Sequence, residues 1–231
     1  SKKRNFSQSV DLIINLKDLN LKKPEENILA FVTLPKGGKK NKIGALVGNE
    51  LSTQAKSVCD LVIVKDDFRS YGVDQKKTKK AASKVDFFIG QANLMPDIAK
   101  AFGKVLGPKG KMPNPKGGAI VPPTIPNLDA VVNKLKKTVK VQTKNELIIK
   151  TAVGIESMSD EDLTENILAV YHAVLHELKE DTHKVKSVIL KFTMGASFTV
   201  GKKYDKKDLG MKKKEIAKEK APKTEQGEKN E

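Results

Sequence analysis

Residues 43–64 read IGALVGNELSTQAKSVCDLVIV. Ile43 to Val47 and Asp60 to Val64 are short apolar runs, and residues 49–58 between them form a helical stretch. The cycle repeats downstream, with a lysine-rich helix near 74–83, an apolar run at 85–89 and a helix near 95–104. Strands that are apolar at successive positions are buried on both faces, and crossover helices supply the cover in a parallel sheet. A helix over 128–138 and a hairpin, 139–142 with 146–150, complete this block.

The flanks follow a different period. Val10, Leu12, Ile14 and Leu16 fall on one side of a strand, and Ser7, Ser9, Asp11 and Asn15 fall on the other, with Ile13 as the apolar exception. A second strand at 27–34 ends at Pro35. The glycine-rich, basic run Lys36-Gly37-Gly38-Lys39-Lys40-Asn41-Lys42 then reads as a hairpin loop or a hinge. Near the other end, Ser159 is an N-cap with Asp162 three positions on, and Asp160 and Glu161 suit the positive end of a helix dipole. Leu163, Ile167, Val170, Val174 and Leu178 make that helix's apolar stripe. Residues 185–192 and 197–200 read as strands.

Neither flank alone has enough apolar area for a stable domain, but together they make one sheet with a helical cover. The expected fold is therefore α/β in two domains. A discontinuous α+β outer domain comprises residues 1–40 plus 152–202, and residues 41–151 form an inserted three-layer, Rossmann-like α/β domain. The chain passes between them near 38–42 and 150–154, a hinge. Residues 203–231, almost all Lys, Glu, Asp and Gln, read as a charged, flexible tail.

The 44 Lys and Arg against 28 Asp and Glu leave a formal charge of +16 over 231 residues. That excess points to a polyanion, either nucleic acid or an anionic membrane surface. No apolar run approaches the ~18 residues of a spanning helix, so no membrane segment is expected. Aromatic residues are 5% and Trp is absent, so stacking on bases is poorly supplied. Cys59 is the lone cysteine, which excludes an intrachain disulfide. With no signal-peptide core behind the basic N-terminus, the chain reads as cytoplasmic.

The most distinctive segment is Gly103-Lys104-Val105-Leu106-Gly107-Pro108-Lys109-Gly110-Lys111-Met112-Pro113-Asn114-Pro115-Lys116-Gly117-Gly118. Glycines let backbone amides approach phosphate, lysines add charge, and prolines lower the ordering cost. It is not a nucleotide-binding P-loop, because Val105 stands where the first glycine is needed and Met112 where the hydroxyl is needed. The Gly107-Pro108-Lys109-Gly110 tetrad fits the GXXG pattern of KH loops, a common pattern, and tight packing against a neighbouring domain is the structural alternative. A second feature, Thr193-Met194-Gly195-Ala196-Ser197, lies between two strands and offers hydroxyls and accessible backbone. Lys76, Lys77, Lys79 and Lys80, and Lys134, Lys136 and Lys137, are charge clusters of the kind that usually make solvated helix faces. Catalysis has little support. His172 and His176 share a helical face near Glu177 and Glu180, a pattern read as helix surface, and Cys59 reads as a small core residue. No cofactor, metal or catalytic group is expected.

The run from Gly103 to Lys116 resembles the signature of the ribosomal protein L-one family, the large-subunit stalk proteins. Phe6 to Leu12 with Asn15-Leu16 resembles its first strand. Leu34-Pro35-Lys36-Gly37 resembles its Leu-Pro-His-Gly corner, with Lys36 in place of His, and Thr193-Met194-Gly195 resembles its C-terminal turn. The short N-terminus and lysine-rich tail resemble the archaeal branch. The resemblance covers roughly residues 4–200 and implies a non-enzymatic protein, monomeric off the ribosome, with no membrane partner. It would bind a folded junction in large-subunit ribosomal RNA, form a mobile stalk that helps deacylated tRNA leave, and repress its own operon mRNA. By position, the implied RNA-binding residues are Arg4, Asn5, Phe6, Ser9, Asp11, Ser187, Thr193, Met194 and Gly195. Asn5 replaces a usual basic residue, with Arg4 beside it to take that contact. Ser9 and Asp11 are shorter than the usual Thr and Glu. Alternation puts Phe6 on the apolar side of its strand. Lys104, Gly107, Lys109, Gly110, Lys111, Asn114 and Lys116 would form either a secondary RNA contact or an interdomain loop.

Overall fold

The computed structural model describes residues 4–20, 23, 26–125, 127–143, 146–179 and 181–203. The tail at 203–231 lies, Lys203 apart, outside the described residues, as does Glu180. The first strand, β1 (Ser9–Leu16), buries Val10, Leu12, Ile14 and Leu16 and leaves the odd positions partly exposed, as its alternation requires. Strand β2 (Leu29–Thr33) ends just ahead of Pro35, which has no N–H to continue a ladder.

The chain then enters an alternating unit of β3 (Ile43–Val47), α1 (Asn49–Val58), β4 (Leu61–Val64), α2 (Phe68–Val73), α3 (Gln75–Lys84), β5 (Phe87–Gln91), α4 (Met95–Lys109), β6 (Ile120–Val121) and α5 (Leu128–Lys137). Its strands pair in parallel in the order β4-β3-β5-β6. β3 is buried at all five positions because helices cover both faces. On one side Leu46, Ile63 and Phe88 pack with Phe68, Ala82, Ile98 and Phe102. On the other, Ile43, Ala45, Val47 and Ile89 pack with Leu51, Ala55, Leu128, Val132 and Leu135. Each such side chain taken from water contributes roughly 1.5–3 kcal/mol before entropy is subtracted. This is the expected three-layer α/β arrangement. Polar side chains start its helices: Asp74 accepts the Lys76 and Lys77 amides at 2.9 and 3.1 Å, and Asn127 accepts the Asp129 amide at 2.9 Å. Cys59, half-buried, packs beside the second of these cores, where burial and then Asp60 push its thiol up to about 11.

The chain returns through β7 (Thr138–Gln142), β8 (Ile148–Ile155), α6 (Asp160–Glu177), β9 (Val185–Phe192) and β10 (Ser197–Thr199). β10, β9, β1 and β8 form an antiparallel sheet in that order. α6 begins as its sequence foretells, with Ser159 Oγ accepting the Asp162 amide at 3.2 Å. It lays Val170, Val174 and the following Leu178 onto the sheet's inner face beside Leu12, Ile14 and Val153.

Two local expectations change. The hairpin expected between 139–142 and 146–150 does not form, because β7 pairs with β2 and β8 pairs with β1. Val32 and Val141 thereby join the core of the antiparallel sheet, and this burial outweighs the local pairing. The second passage between the two sheets consequently lies at Lys137–Thr138 and not near 150–154. There Leu34 N donates to Lys137 O at 2.9 Å, and Asn41 Nδ2 donates to Thr138 O at 2.8 Å, holding the two passages side by side. The second change is in α4, which continues past Lys104 to Lys109 and carries Pro108 in its last turn. Gly110, at φ 65°, then closes it with the Lys111 amide donating to Leu106 O at 3.0 Å.

Candidate nucleic-acid interface

Among the described residues the antiparallel sheet has helical cover on one face, from α6, and its odd β1 positions on the other face are partly exposed. Register decides what stands there. Asp11 is opposite Lys191 on β9, Ile13 is opposite Ile189, and Asn15 is opposite Ser187. On the other side Asp11 is opposite Ala152, Ile13 is opposite Lys150, and Asn15 is opposite Ile148. Ser9 and Asp11 of β1, Ser187 of β9 and the Thr193 turn are thus brought onto one surface, although some are more than 170 residues apart in sequence.

These residues are bonded to one another. The Ser9 amide donates to Thr193 Oγ1 at 3.1 Å, the Thr193 amide donates to Ser9 O at 3.1 Å, and the two hydroxyls lie 2.9 Å apart. Ser9 Oγ also donates to Asp11 Oδ1 at 3.2 Å. Farther along, Asn15 Nδ2 donates to Ser187 Oγ at 2.8 Å. The result is two bonded groups, Ser9–Asp11–Thr193 and Asn15–Ser187, with the apolar pair Ile13 and Ile189 between them and Lys150 and Lys191 alongside. It offers directed hydrogen bonds more than bulk charge.

The turn after β9 is held from beneath. The Gly195 amide donates to Phe192 O at 2.9 Å, and a Cβ at Gly195 would press on Phe192 at 3.0 Å. Met194, 59% exposed, stands at the turn's tip. Its amide donates to Gln8 Oε1 at 3.3 Å. Gln8 is fully buried, and its Nε2 donates to Glu156 Oε2 at 3.4 Å while the Glu156 amide donates to Gln8 O at 2.9 Å. The turn is therefore fixed by two residues, Gln8 and Glu156, that sequence reasoning missed. Gln8 is a polar residue at a position of the buried parity, just before β1, where the apolar pattern that marks the inward face has not begun. Glu156 is 148 positions away from it, and no local pattern links them.

Arg4, Asn5 and Phe6 border a shallow cleft with Ser7, Glu156 and Ser157. Phe6 is 52% exposed, which corrects its assignment to an apolar strand face. β1 starts only at Ser9, so the alternation does not reach Phe6.

The glycine–lysine segment is packed against its surroundings. Lys104, Gly107 and Lys109 belong to α4, and Lys109 Nζ donates to Ser83 Oγ at 3.3 Å. Lys111 Nζ donates to Ala82 O at 2.9 Å and also to Val85 O, closing the end of α3. Its partial burial lowers its pKa from the usual lysine value. Lys140 of β7 donates to Gly110 O at 2.7 Å. Asn114 Oδ1 accepts the Lys116 amide at 2.9 Å, and Gly117 lies so close to the Phe31 ring of β2 that a Cβ there would come within 3.0 Å. The segment thus bridges the parallel unit and the β2–β7 pair. Lys116 remains exposed. Lys36 in the preceding corner pairs with Asp162 and Glu165 at 3.5 and 3.6 Å, and these carboxylates, Glu165 foremost, raise its pKa. That corner is anchored by buried Asn166, whose Nδ2 donates to Gly37 O at 2.6 Å and Val153 O at 2.9 Å. His172 and His176 lie on α6, and among the described residues no three His, Cys, Asp or Glu side chains gather as metal ligands would.

The sequence profile of the Ribosomal protein L1p/L10e family matches residues 1–196. The chain belongs to this family. Among L1 relatives, the large ribosomal subunit protein uL1 of Methanobrevibacter smithii is 47% identical over 197 residues, covering 84% of this chain and 90% of the relative. The uL1 proteins of Methanothermobacter thermautotrophicus and Thermococcus kodakarensis are 44% and 41% identical, covering 84% and 87% of this chain and 90% and 91% of their own lengths. These relatives are archaeal, in line with the branch that the sequence resembles. The L1 family is one of structural ribosomal proteins and not of enzymes. Among the described residues no helix is long and apolar enough to cross a membrane.

Proposed function

We propose that the chain is a component of the large subunit of the cytoplasmic ribosome, and that it binds a folded junction of the subunit's RNA on the outward face of β10-β9-β1-β8. The observation that carries this reading is the pair of bonded groups Ser9–Thr193–Asp11 and Asn15–Ser187, the first of which adjoins the Met194 amide held by buried Gln8. Preformed hydroxyl and amide groups with an accessible backbone suit 2′-hydroxyls and phosphates presented in a fixed shape. The +16 charge supplies the longer-range, salt-sensitive attraction. Thr193, Met194, Gly195, Ser9, Asp11 and Ser187 are the proposed contacts, with Arg4, Asn5 and Phe6 at the end of the row. The proposed division is an outer domain built on the antiparallel sheet and an inserted domain built on the parallel one. The change at Asn41 and Lys137–Thr138 supports it, because the two passages adjoin there.

A surface that reads shape binds any RNA with the same shape. Repression of the chain's own operon mRNA therefore follows as a second role of the same face, and it rests on the family resemblance. The same holds for a mobile stalk that helps deacylated tRNA leave, and for a monomer off the ribosome. The test is a titration against large-subunit ribosomal RNA fragments, the operon mRNA leader and random duplexes at two salt concentrations. One ribosomal fragment is expected to outcompete the duplexes at both. Equal affinity for all of them at high salt would remove the reading, and a leader bound no better than random duplex would remove repression alone.

A further inference from the structure

The parallel sheet is closed, but the helices that close it have outward faces of their own. α2 is pinned to α4 by two of its rings, since Phe68 meets Phe102 edge-on at 5.3 Å and Tyr71 lies 5.8 Å from the same ring. Arg69 and Val73, one helical turn apart, are left exposed. Gly72 lets the two helices pass closely, for a Cβ there would stand 3.4 Å from Ala101 Cα. Between α2 and α4 lies an open groove of about 430 Å³. Phe68, Val73 and Ala101 are its apolar lining, and Lys65, Arg69 and Lys100 border it against one carboxylate, Asp97. Asp97 sits in the first turn of α4, where it answers the helix dipole. Among the described residues none of the three cations lies within ion-pair distance of a carboxylate. Among them also, Val73, at 84%, is the most exposed large apolar residue.

We propose that this groove docks an amphipathic helix of a protein partner, apolar along one stripe and acidic on both flanks. Charge complementarity sets the sign of the partner, because three unpaired cations surround the apolar lining. The lining sets its class. Val73 and Ala101 offer a base neither a hydrogen bond nor a ring to stack on, and Phe68 is only 4% exposed. A nucleic acid would therefore gain from the cations alone, whereas a leucine or isoleucine stripe flanked by glutamates would gain from the lining as well. A groove between two helices suits a third helix, whose apolar residues follow the ridges of the first two. The lysines of α3, by contrast, stand on a helix whose apolar residues are buried. The groove belongs to the parallel unit, and its use does not depend on what the antiparallel sheet binds.

The probe is a labelled helical peptide of about 15 residues, with leucines along one stripe and glutamates on the flanks, titrated with the full chain and read by fluorescence anisotropy. Saturable binding is expected. Val73→Ser and the double variant Arg69→Glu/Lys100→Glu should each weaken it about tenfold or more, at an unchanged melting temperature, since one removes the apolar lip and the other reverses the rim charge. The control Lys76→Glu/Lys80→Glu should leave it nearly unchanged. A peptide of the same composition with its leucines scattered should bind about tenfold more weakly. Absence of saturable binding, equal binding of the two peptides, or full binding by Val73→Ser would overturn the proposal. Equal weakening by the α3 control would reduce the effect to net charge and also overturn it. Polyuridylate RNA that displaced the peptide, and itself bound Arg69→Glu/Lys100→Glu but not the α3 control more weakly, would make the groove a nucleic-acid site and overturn the protein partner.

Discussion

The two four-stranded sheets differ in how many of their faces are covered. β3 at the centre of the parallel sheet is buried at every position, whereas β1 at the centre of the antiparallel sheet is buried at every second position. A sheet closed on both sides has no surface left for a partner, and its side chains are chosen for packing. A sheet closed on one side can keep its core with half of each strand and use the other half to bind. The antiparallel sheet therefore carries the hydroxyl and amide row, and the parallel unit contributes lysines and a packed glycine–lysine segment at its border.

This contrast can be broken by substitution. Leu46→Ala, in the closed sheet, should cost about 2–5 kcal/mol of stability by chemical denaturation, since it leaves a cavity in a fully buried core. RNA affinity of the folded fraction should not change, and a direct loss of affinity would contradict the division of labour. Thr193→Val, on the open sheet, should do the reverse. RNA affinity should fall by about 1–3 kcal/mol while stability changes little, because the hydroxyl is exposed. A large drop in melting temperature would make Thr193 a structural residue.

Gly110→Ala tests the border between the two. Its φ of 65° and a Cβ 2.8 Å from Lys140 Nζ predict a cost of roughly 1–2 kcal/mol in stability, with the affinity of the sheet face preserved. The smallest effect belongs to Lys36→Met. Its ion pairs to Asp162 and Glu165 are exposed, so a slight fall in melting temperature should vanish in concentrated salt. Because these partners raise the Lys36 pKa, the contribution is fully present below the ordinary lysine range and is lost as pH rises through the raised value. A difference that persists at high salt would point to packing by the lysine stem.

Much of this was legible from local pattern. The alternation of Val10, Leu12, Ile14 and Leu16 fixed which face of β1 is inward, and the unbroken runs at Ile43–Val47 and Leu61–Val64 marked two parallel strands, the first buried throughout and the second, at the sheet's edge, buried only at Ile63. Ser159 announced the start of α6. Three things were not legible. The pairing of β7 with β2 depends on Val141 finding the core around Leu12, which no short-range rule contains. The last turns of α4 looked like loop because Gly107 and Pro108 are poor helix formers, yet Val105 and Leu106 are held by the core. The support of the Thr193 turn by Gln8 and Glu156 joins residues whose individual positions carry no signal.

Sequence alone settled the periods of the strands and helices, the cationic character and the kinship, because each is written in neighbouring residues or in a long ordered match. Tertiary structure alone decided which strands adjoin, and so which polar groups meet. Ser9 faces Thr193, and Asn15 faces Ser187. Register between distant strands is set by burial of their opposite faces, a property of the assembled core that no single strand contains.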